Sequence, residues 1–343
     1  MRFGLVGTGY WARVTHATAI SSAPGATLSA VWGRNQQAAK ELASEHGATA
    51  FIGEDTLDEF IRAVDAVAFA VPPNVQAPIA TRAAQAGRHL LLEKPLALSV
   101  DDAEALVEAV EVAGVASLVF FTLRFSAEIR AWLTDENARG GWAGQGWSGG
   151  HGEWLGAALT PDNPFSTPWR HEHGGLWDLG PHVLSLLWAS LGPVTRVSAT
   201  AGAADLTHLV LTHEGGATST ATVTLNAPPA AAAMNLYVWG EAGRSIMPTA
   251  PVDPVECLCT AATELVAMAE SGQVRHPCDA RLGRDIVRVL AEAQAQLLPV
   301  QAALALGPYS KLFLRHHSSG SVSSLAMAAC QASSDAMASG TEG

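Results

Sequence analysis

Six residues near the start of the chain, Gly7-Thr8-Gly9-Tyr10-Trp11-Ala12, have the types and spacing of a G-x-G-x-x-A turn between a strand and a helix. Gly7 permits the tight turn and Gly9 lets backbone approach a pyrophosphate, while Ala12, lacking bulk, lets helix and sheet pack closely. The N–H groups and positive dipole end of that helix favour phosphates. The pattern therefore indicates dinucleotide binding. The end of the second strand selects the dinucleotide, because an acid there accepts hydrogen bonds from the ribose whereas an arginine pairs with a 2′-phosphate. Here the run is Val31-Trp32-Gly33-Arg34-Asn35, with Gly33 at the usual acidic position and Arg34 beside it. That points to NADP (NADPH) ahead of NAD.

The elements that must position these residues follow from periodicity. Short apolar runs alternate with helical stretches as far as residue 121, as βα units of a parallel sheet do. Six strands are expected: Arg2 to Val6, Thr27 to Trp32, Ala48 to Phe51, Ala66 to Val71, His89 to Leu92 and Val115 to Phe121. Asn35 opens a helix ending at Gly47, and Ser99 caps another ending at Gly114. Beyond Leu123 a helix candidate, Ser126 to Arg139, leads into a Gly- and Trp-rich stretch from Gly140 to Gly156, then a proline-punctuated loop to Arg170. Val194 to Thr200, Leu206 to His213, Ala217 to Asn226 and Asn235 to Gly240 read as strands, flanked by helices near Leu184, from Glu256, and over Asp279 to Leu298. The expected fold class is α/β: a doubly wound Rossmann domain over residues 1–122, then an α+β domain over 123–300 with a largely antiparallel, open-faced sheet. An open face suggests a homo-oligomer. Residues 308–343, rich in Ser, Ala and Gly, are expected to be a disordered tail without assigned function.

Composition excludes several functions. The formal charge is -12, and the arginines are scattered, so nucleic acid is not an expected partner. No uninterrupted apolar run reaches the ~18 residues of a membrane span. The chain opens Met1-Arg2-Phe3-Gly4 without the apolar core of a secretory signal, and its four cysteines form no CxxC pair, which together suggest the cytoplasm. His171-Glu172-His173 and His151 lack regular ligand spacing, so no metal is expected.

Two further segments complete a family pattern. Glu93-Lys94-Pro95 closes the fifth strand, and Gly174-Gly175-Leu176-Trp177-Asp178-Leu179-Gly180-Pro181-His182 lies downstream, preceded by Trp169-Arg170. With the glycine turn and with Val71-Pro72-Pro73 ending the fourth strand, residues 2 to about 298 resemble the glucose-fructose oxidoreductase, inositol dehydrogenase and rhizopine-catabolism family (Gfo/Idh/MocA). The resemblance implies a Rossmann domain, an open-sheet domain, and hydride exchange between NAD(P) and a secondary alcohol or ketone of a sugar or polyol. It implies that Lys94 is the catalytic-site lysine, His182 the general acid/base and Asp178 its partner. Lys94 is one of only three lysines, with Lys40 and Lys311, which gives its motif position weight. Histidine, with an ordinary pKa near ~6.5, can exchange a hydroxyl proton in either direction. A spacing of four puts Asp178 and His182 on one helical face if a helix runs through them, but Pro181 suits a first helical position, so the helix can start there instead.

Arg124, Trp154, Trp169 and Arg170 are the candidate substrate contacts. Trp142, Trp147 and Trp177 crowd the same region, where tryptophans suit sugar faces but also fill cores. The sequence departs from the family after its proline pair, where many relatives carry a histidine and this chain has Asn74-Val75-Gln76. Gln76 hydrogen-bonds but does not titrate, so a proton-handling role does not carry over. Two rival functions share these parts: a non-catalytic NADP-binding sensor or scaffold, and a reductase of a non-sugar ketone or imine.

Overall fold

A computed structural model describes residues 1–139, 141, 146–161 and 163–305. Met1–Leu297 form one compact unit, and Leu298–Gly343 a second whose described part is residues 298–305. Trp142 and the tail expected over 308–343 lie outside the described residues.

The first sheet is fully parallel. Its strands are β1 (Arg2–Val6), β2 (Thr27–Gly33), β3 (Thr49–Ile52), β4 (Ala66–Phe69), β5 (His89–Leu92) and β6 (Ser117–Val119), ordered β3-β2-β1-β4-β5-β6. That order reverses between β1 and β4, which is where such sheets bind ligands at the carboxyl ends of their strands. The crossover helices are α1, wound as a π-helix over Ala12–Ala17 and as an α-helix over Thr18–Ser22, then α2 (Gln36–Glu45), α3 (Leu57–Ala63), α4 (Pro73–Gln85) and α5 (Val100–Ala113). Asn35 Oδ1 accepts from the Ala38 amide to cap α2, Ser99 Oγ accepts from the Asp102 amide to cap α5, and Gly114 ends α5 in the left-handed region. Phe3, Leu5, Phe60, Phe69, Leu90 and Leu92 are fully buried, because helices cover both faces of the sheet.

After α6 (Ala127–Ala138), the second sheet is ordered β12-β11-β7-β10-β9-β8, from β7 (Trp147–Leu155), β8 (Val194–Ala201), β9 (Thr207–His213), β10 (Thr218–Thr224), β11 (Ala233–Gly240) and β12 (Gly243–Ile246). β7 runs parallel to β10, and every other pairing is antiparallel. One face packs on α8 (Gly180–Leu191); on the other Val210, Trp239 and Ile246 stand exposed. The helices α7 (Pro168–Asp178), α9 (Pro254–Ser271) and α10 (Ala280–Ala305) complete the described chain. No described helix is long and apolar enough to cross a membrane.

One strand goes beyond the sequence reading, and one open alternative is decided. The Gly- and Trp-rich stretch contains a central strand, β7, because its glycines make room for neighbours: a Cβ on Gly149 would stand 2.7 Å from the Trp239 ring, and one on Gly152 2.5 Å from Val183. Of the two alternatives for Asp178 and His182, the helix that starts by Pro181 is the one found. α7 ends at Asp178 and α8 starts at Gly180 with Pro181 in its first turn, while within α7 Gly174 adopts φ +63° and breaks the helix.

Candidate active site

The glycine turn has the shape that a pyrophosphate needs. Gly7 has φ +125°, and a Cβ there would meet the Ala70 carbonyl oxygen at 2.5 Å, so only glycine fits. A Cβ on Gly9 would find no atom within 4 Å, which leaves open space over the turn. A Cβ on Gly33 would meet Thr8 Cγ2 at 2.6 Å, so Thr8 fills the room an acidic side chain would use. Arg34 is exposed beside it, and Asn35 is engaged in its cap. Val71 packs 3.2 Å from the Cβ position of Gly7, Pro72 caps α4 and Pro73 is in its first turn. The turn and strand ends thus fit a dinucleotide, with Gly7 to Ala12 placed to hold its phosphates and the segment after β5 beside them.

That segment is fixed by a residue whose role the sequence did not show. Gln76, fully buried on α4, donates Nε2 to the carbonyls of Glu93 (2.8 Å), Leu96 (3.1 Å) and Pro95 (3.3 Å), and accepts the Glu93 amide at 2.8 Å. It clamps the backbone on both sides of Lys94.

Lys94 reaches from the end of β5 to the second half of the chain. Its Nζ donates to Asp178 Oδ1 at 2.6 Å and to the Asp178 carbonyl at 2.7 Å. Arg170, on α7, donates Nε to Asp178 Oδ2 at 2.7 Å and Nη2 to Oδ1 at 3.3 Å, while its guanidinium lies over the Phe165 ring. Burial pushes the Asp178 carboxyl up, but Lys94 and Arg170 outweigh it and hold Asp178 well below the usual carboxylate range. Asp178 thus pairs with Lys94 and Arg170; no hydrogen bond joins it to His182, on which its charge still acts. His182 is buried, first by desolvation and then by the Lys94 charge driven well below 6.5, and its Nδ1 has no hydrogen-bond partner. Its ring lies 5.2 Å from that of Trp154.

The remaining candidates divide. Trp169 lies next to Arg170 with a buried Nε1 that has no partner, and its ring is 5.2 Å from that of His173. Arg124 donates Nη1 to the Ser185 carbonyl at 2.8 Å, which ties its guanidinium to α8. Trp147 and Trp177 are core residues, with Trp177 Nε1 on Gln294. Among the described residues no group of three or more His, Cys, Asp or Glu is placed to hold a metal ion.

Two supporting groups carried no sequence signal. Asp205, in the β8–β9 loop, accepts from the Gly175 amide (2.8 Å), the Leu225 amide (2.7 Å) and Thr224 Oγ1 (2.6 Å), tying the break in α7 to the end of β10. Phe165 meets Tyr10 and Trp11 edge-on, each with centroids 5.9 Å apart, which brings the loop before α7 onto the glycine turn.

A parallel sheet with its glycine turn, joined through a Lys–Asp ion pair to a mixed open sheet, defines a two-sheet Rossmann protein. The chain belongs to the Gfo/Idh/MocA oxidoreductase family: residues 1–121 match the family's NAD-binding Rossmann fold and residues 148–246 its C-terminal domain. It is 32% identical over 124 residues to glucose-6-phosphate 3-dehydrogenase of Bacillus subtilis, covering 36% of this chain and 34% of that protein. It is 32% identical over 133 residues to inositol 2-dehydrogenase of Rhizobium meliloti, covering 38% and 39%. These alignments span about a third of the curated relatives' length. A levoglucosan dehydrogenase solved with NADH and levoglucosan shares the fold, with a TM-score of 0.74 at 17% identity over 87% of this chain and 97% of that one.

Proposed function

We propose that this protein is an NADP(H)-dependent oxidoreductase that moves a hydride between the nicotinamide and a secondary alcohol or ketone of a sugar-like or polyol-like substrate, in the cytoplasm. The observation that carries the reading is the reach of Lys94, from the dinucleotide-binding sheet, onto buried Asp178 at the head of the second. The bound cofactor supplies the redox chemistry. An ammonium has three N–H donors, and Asp178 takes two of them, so the third is left for a substrate oxygen, where it stabilises developing alkoxide. Asp178 holds Lys94 in place, and Arg170 holds Asp178. His182, kept neutral, is a base ready to take the hydroxyl proton, or to return it in reduction once charged. Trp154 beside His182, with Trp169 next to Arg170, supplies ring surface for a polyhydroxylated substrate. Sugar and polyol dehydrogenases among the relatives support this substrate class.

The NADP(H) preference rests on Gly33, which has no carboxylate and whose place is filled by Thr8, and on exposed Arg34. NADPH is expected to bind more tightly than NADH, and Arg34→Ala to erase the difference, as measured by fluorescence titration. NADH binding at least as tight as NADPH would make the cofactor NAD(H), as in the related structure solved with NADH, and leave the rest of the site reading standing. The exposed sheet face bearing Val210, Trp239 and Ile246 is proposed to carry a second copy of the chain.

A further inference from the structure

A ring of contacts runs through the site, and Phe165 closes it. Trp11, in the glycine turn, donates its indole N–H to Glu93 Oε1 at 2.7 Å, with the enclosed His16 Nε2 3.4 Å from the same oxygen, and Glu93 Oε2 accepts the Lys94 amide at 3.2 Å. Lys94 and Arg170 both bind Asp178. Arg170 sets its guanidinium carbon 5.3 Å from the centre of the Phe165 ring and donates Nη1 to the Phe165 carbonyl at 3.3 Å. The Phe165 ring then returns to the glycine turn, edge-on to Trp11 and to Tyr10.

The local chain fixes Phe165 in that place. Asn163 Oδ1 accepts the Phe165 amide at 2.9 Å across Pro164, a turn that asparagine forms readily, and the Phe165 carbonyl accepts the Thr167 amide at 2.8 Å. Thr167 caps α7, so Arg170 stands in the first turn of the helix that carries Asp178 at its end. The half-buried ring thus meets two aromatic neighbours edge-on while its face receives a guanidinium. Such pairs are each worth about two- to tenfold in an equilibrium constant beyond the apolar area they bury. An aliphatic side chain of similar size would keep the area and lose both geometries.

We propose that Phe165 is a positioning residue that ties the glycine turn to Arg170 and Asp178, so that a dinucleotide settling on the turn steadies the head of α7 and, with it, the carboxylate that holds Lys94. The inference rests on the dinucleotide-binding reading and needs no particular substrate. Phe165 touches no reacting atom; it acts through Arg170, whose two bonds to Asp178 orient that carboxylate. A ligand that orders one member of a set of packed groups lowers the cost of ordering the others, and by linkage the effect is the same in both directions. The route through Glu93 stays within the segment after β5, whereas the route through Phe165 enters α7, so the two can be separated by substitution.

The test is amide hydrogen exchange of the full chain with and without saturating NADPH, or NADH should that bind more tightly, beside fluorescence titration of the same nucleotide. In wild type the nucleotide is expected to slow exchange over residues 166–180 by about fivefold or more, the lower end of ordinary coupling between sites. Phe165→Tyr, which keeps the ring, should match wild type. Phe165→Leu should lose the slowing over 166–180, keep that over residues 2–17, and bind the nucleotide about two- to tenfold more weakly. A merely structural role would speed exchange with and without nucleotide alike and leave their ratio unchanged. Arg170→Lys keeps a charge beside Asp178 but not the planar stack on Phe165, so it should lose the slowing over 172–180, and it serves as the check should Phe165→Leu fail to fold. Full slowing over 166–180 in Phe165→Leu, full slowing over 172–180 in Arg170→Lys, or nucleotide binding by wild type without slowing there would overturn the proposal. Failure of both nucleotides to bind would overturn the functional reading and this inference with it, whereas slowing that depends on Phe165 without turnover on any substrate would uphold the inference and count against the oxidoreductase reading alone.

Discussion

Lys94, Asp178 and Arg170 form a buried ion pair with one carboxylate answering two cations, so the cost of removing a member depends on what is left behind. Lys94→Met leaves Asp178 with Arg170 alone and should cost about 3 kcal/mol, within the range for breaking a buried pair, besides abolishing turnover; urea unfolding at neutral pH checks the first. The pH dependence has opposite signs at neighbouring groups. Glu93 is raised from 4.5 to about 7, so the folded chain binds a proton that the unfolded chain has lost, and stability falls as pH rises through that window. Glu93→Gln, which mimics the protonated acid, should therefore gain on wild type by up to about 3 kcal/mol between about pH 5 and pH 8, as read from urea midpoints. His16 and His182 are lowered, so their contribution is present above about pH 6.5 and is lost as pH falls below it, when the unfolded chain takes up protons first.

The order of elements was legible where burial imposes a simple pattern. The six parallel strands, covered on both faces, show as short apolar runs, and Asn35, Ser99 and Gly114 mark helix ends because their backbone roles are local. β7 was illegible because glycine is depleted in strands, and the reason for glycine at 149 and 152 lies in Trp239 and Val183, distant in sequence. The glycine turn, Lys94 and His182 could be found from motifs, whereas the pairing of Asp178 with Lys94 could not, since the two lie 84 residues apart in sequence and only the fold brings them together. Asp205 had no signal at all: one loop acid gains its role only by meeting the amides of Gly175 and Leu225 in space. Asp205→Ala should leave those amides without an acceptor, at about 1–3 kcal/mol for each buried group. It should also loosen the segment bearing Asp178; thermal unfolding reports the first effect and a raised KM with lowered kcat the second.

Across the whole molecule, a buried ion pair links the end of the first sheet to the helix before α8, and among the described residues the outer face of the second sheet carries exposed apolar side chains. Val210, Trp239 and Ile246 are respectively 54%, 47% and 62% exposed there, a scattered apolar set that a partner copy would bury. Sedimentation should show wild type as a dimer or larger, and Trp239→Glu with Ile246→Glu as a monomer that still binds dinucleotide.

The central claim is that Lys94 and His182, on different sheets' elements, serve one hydride-transfer site. Its most direct test follows nicotinamide absorbance with NADPH or NADP+ against a panel of sugars, polyols and ketones, for wild type and His182→Ala in parallel with their dinucleotide affinities. Turnover is expected with at least one polyhydroxylated substrate, reduced by roughly 10² to 10⁴-fold in His182→Ala, the usual contribution of a positioned acid/base, while dinucleotide affinity persists. Unimpaired turnover in His182→Ala, or dinucleotide binding by wild type without turnover on any member of the panel, would contradict it.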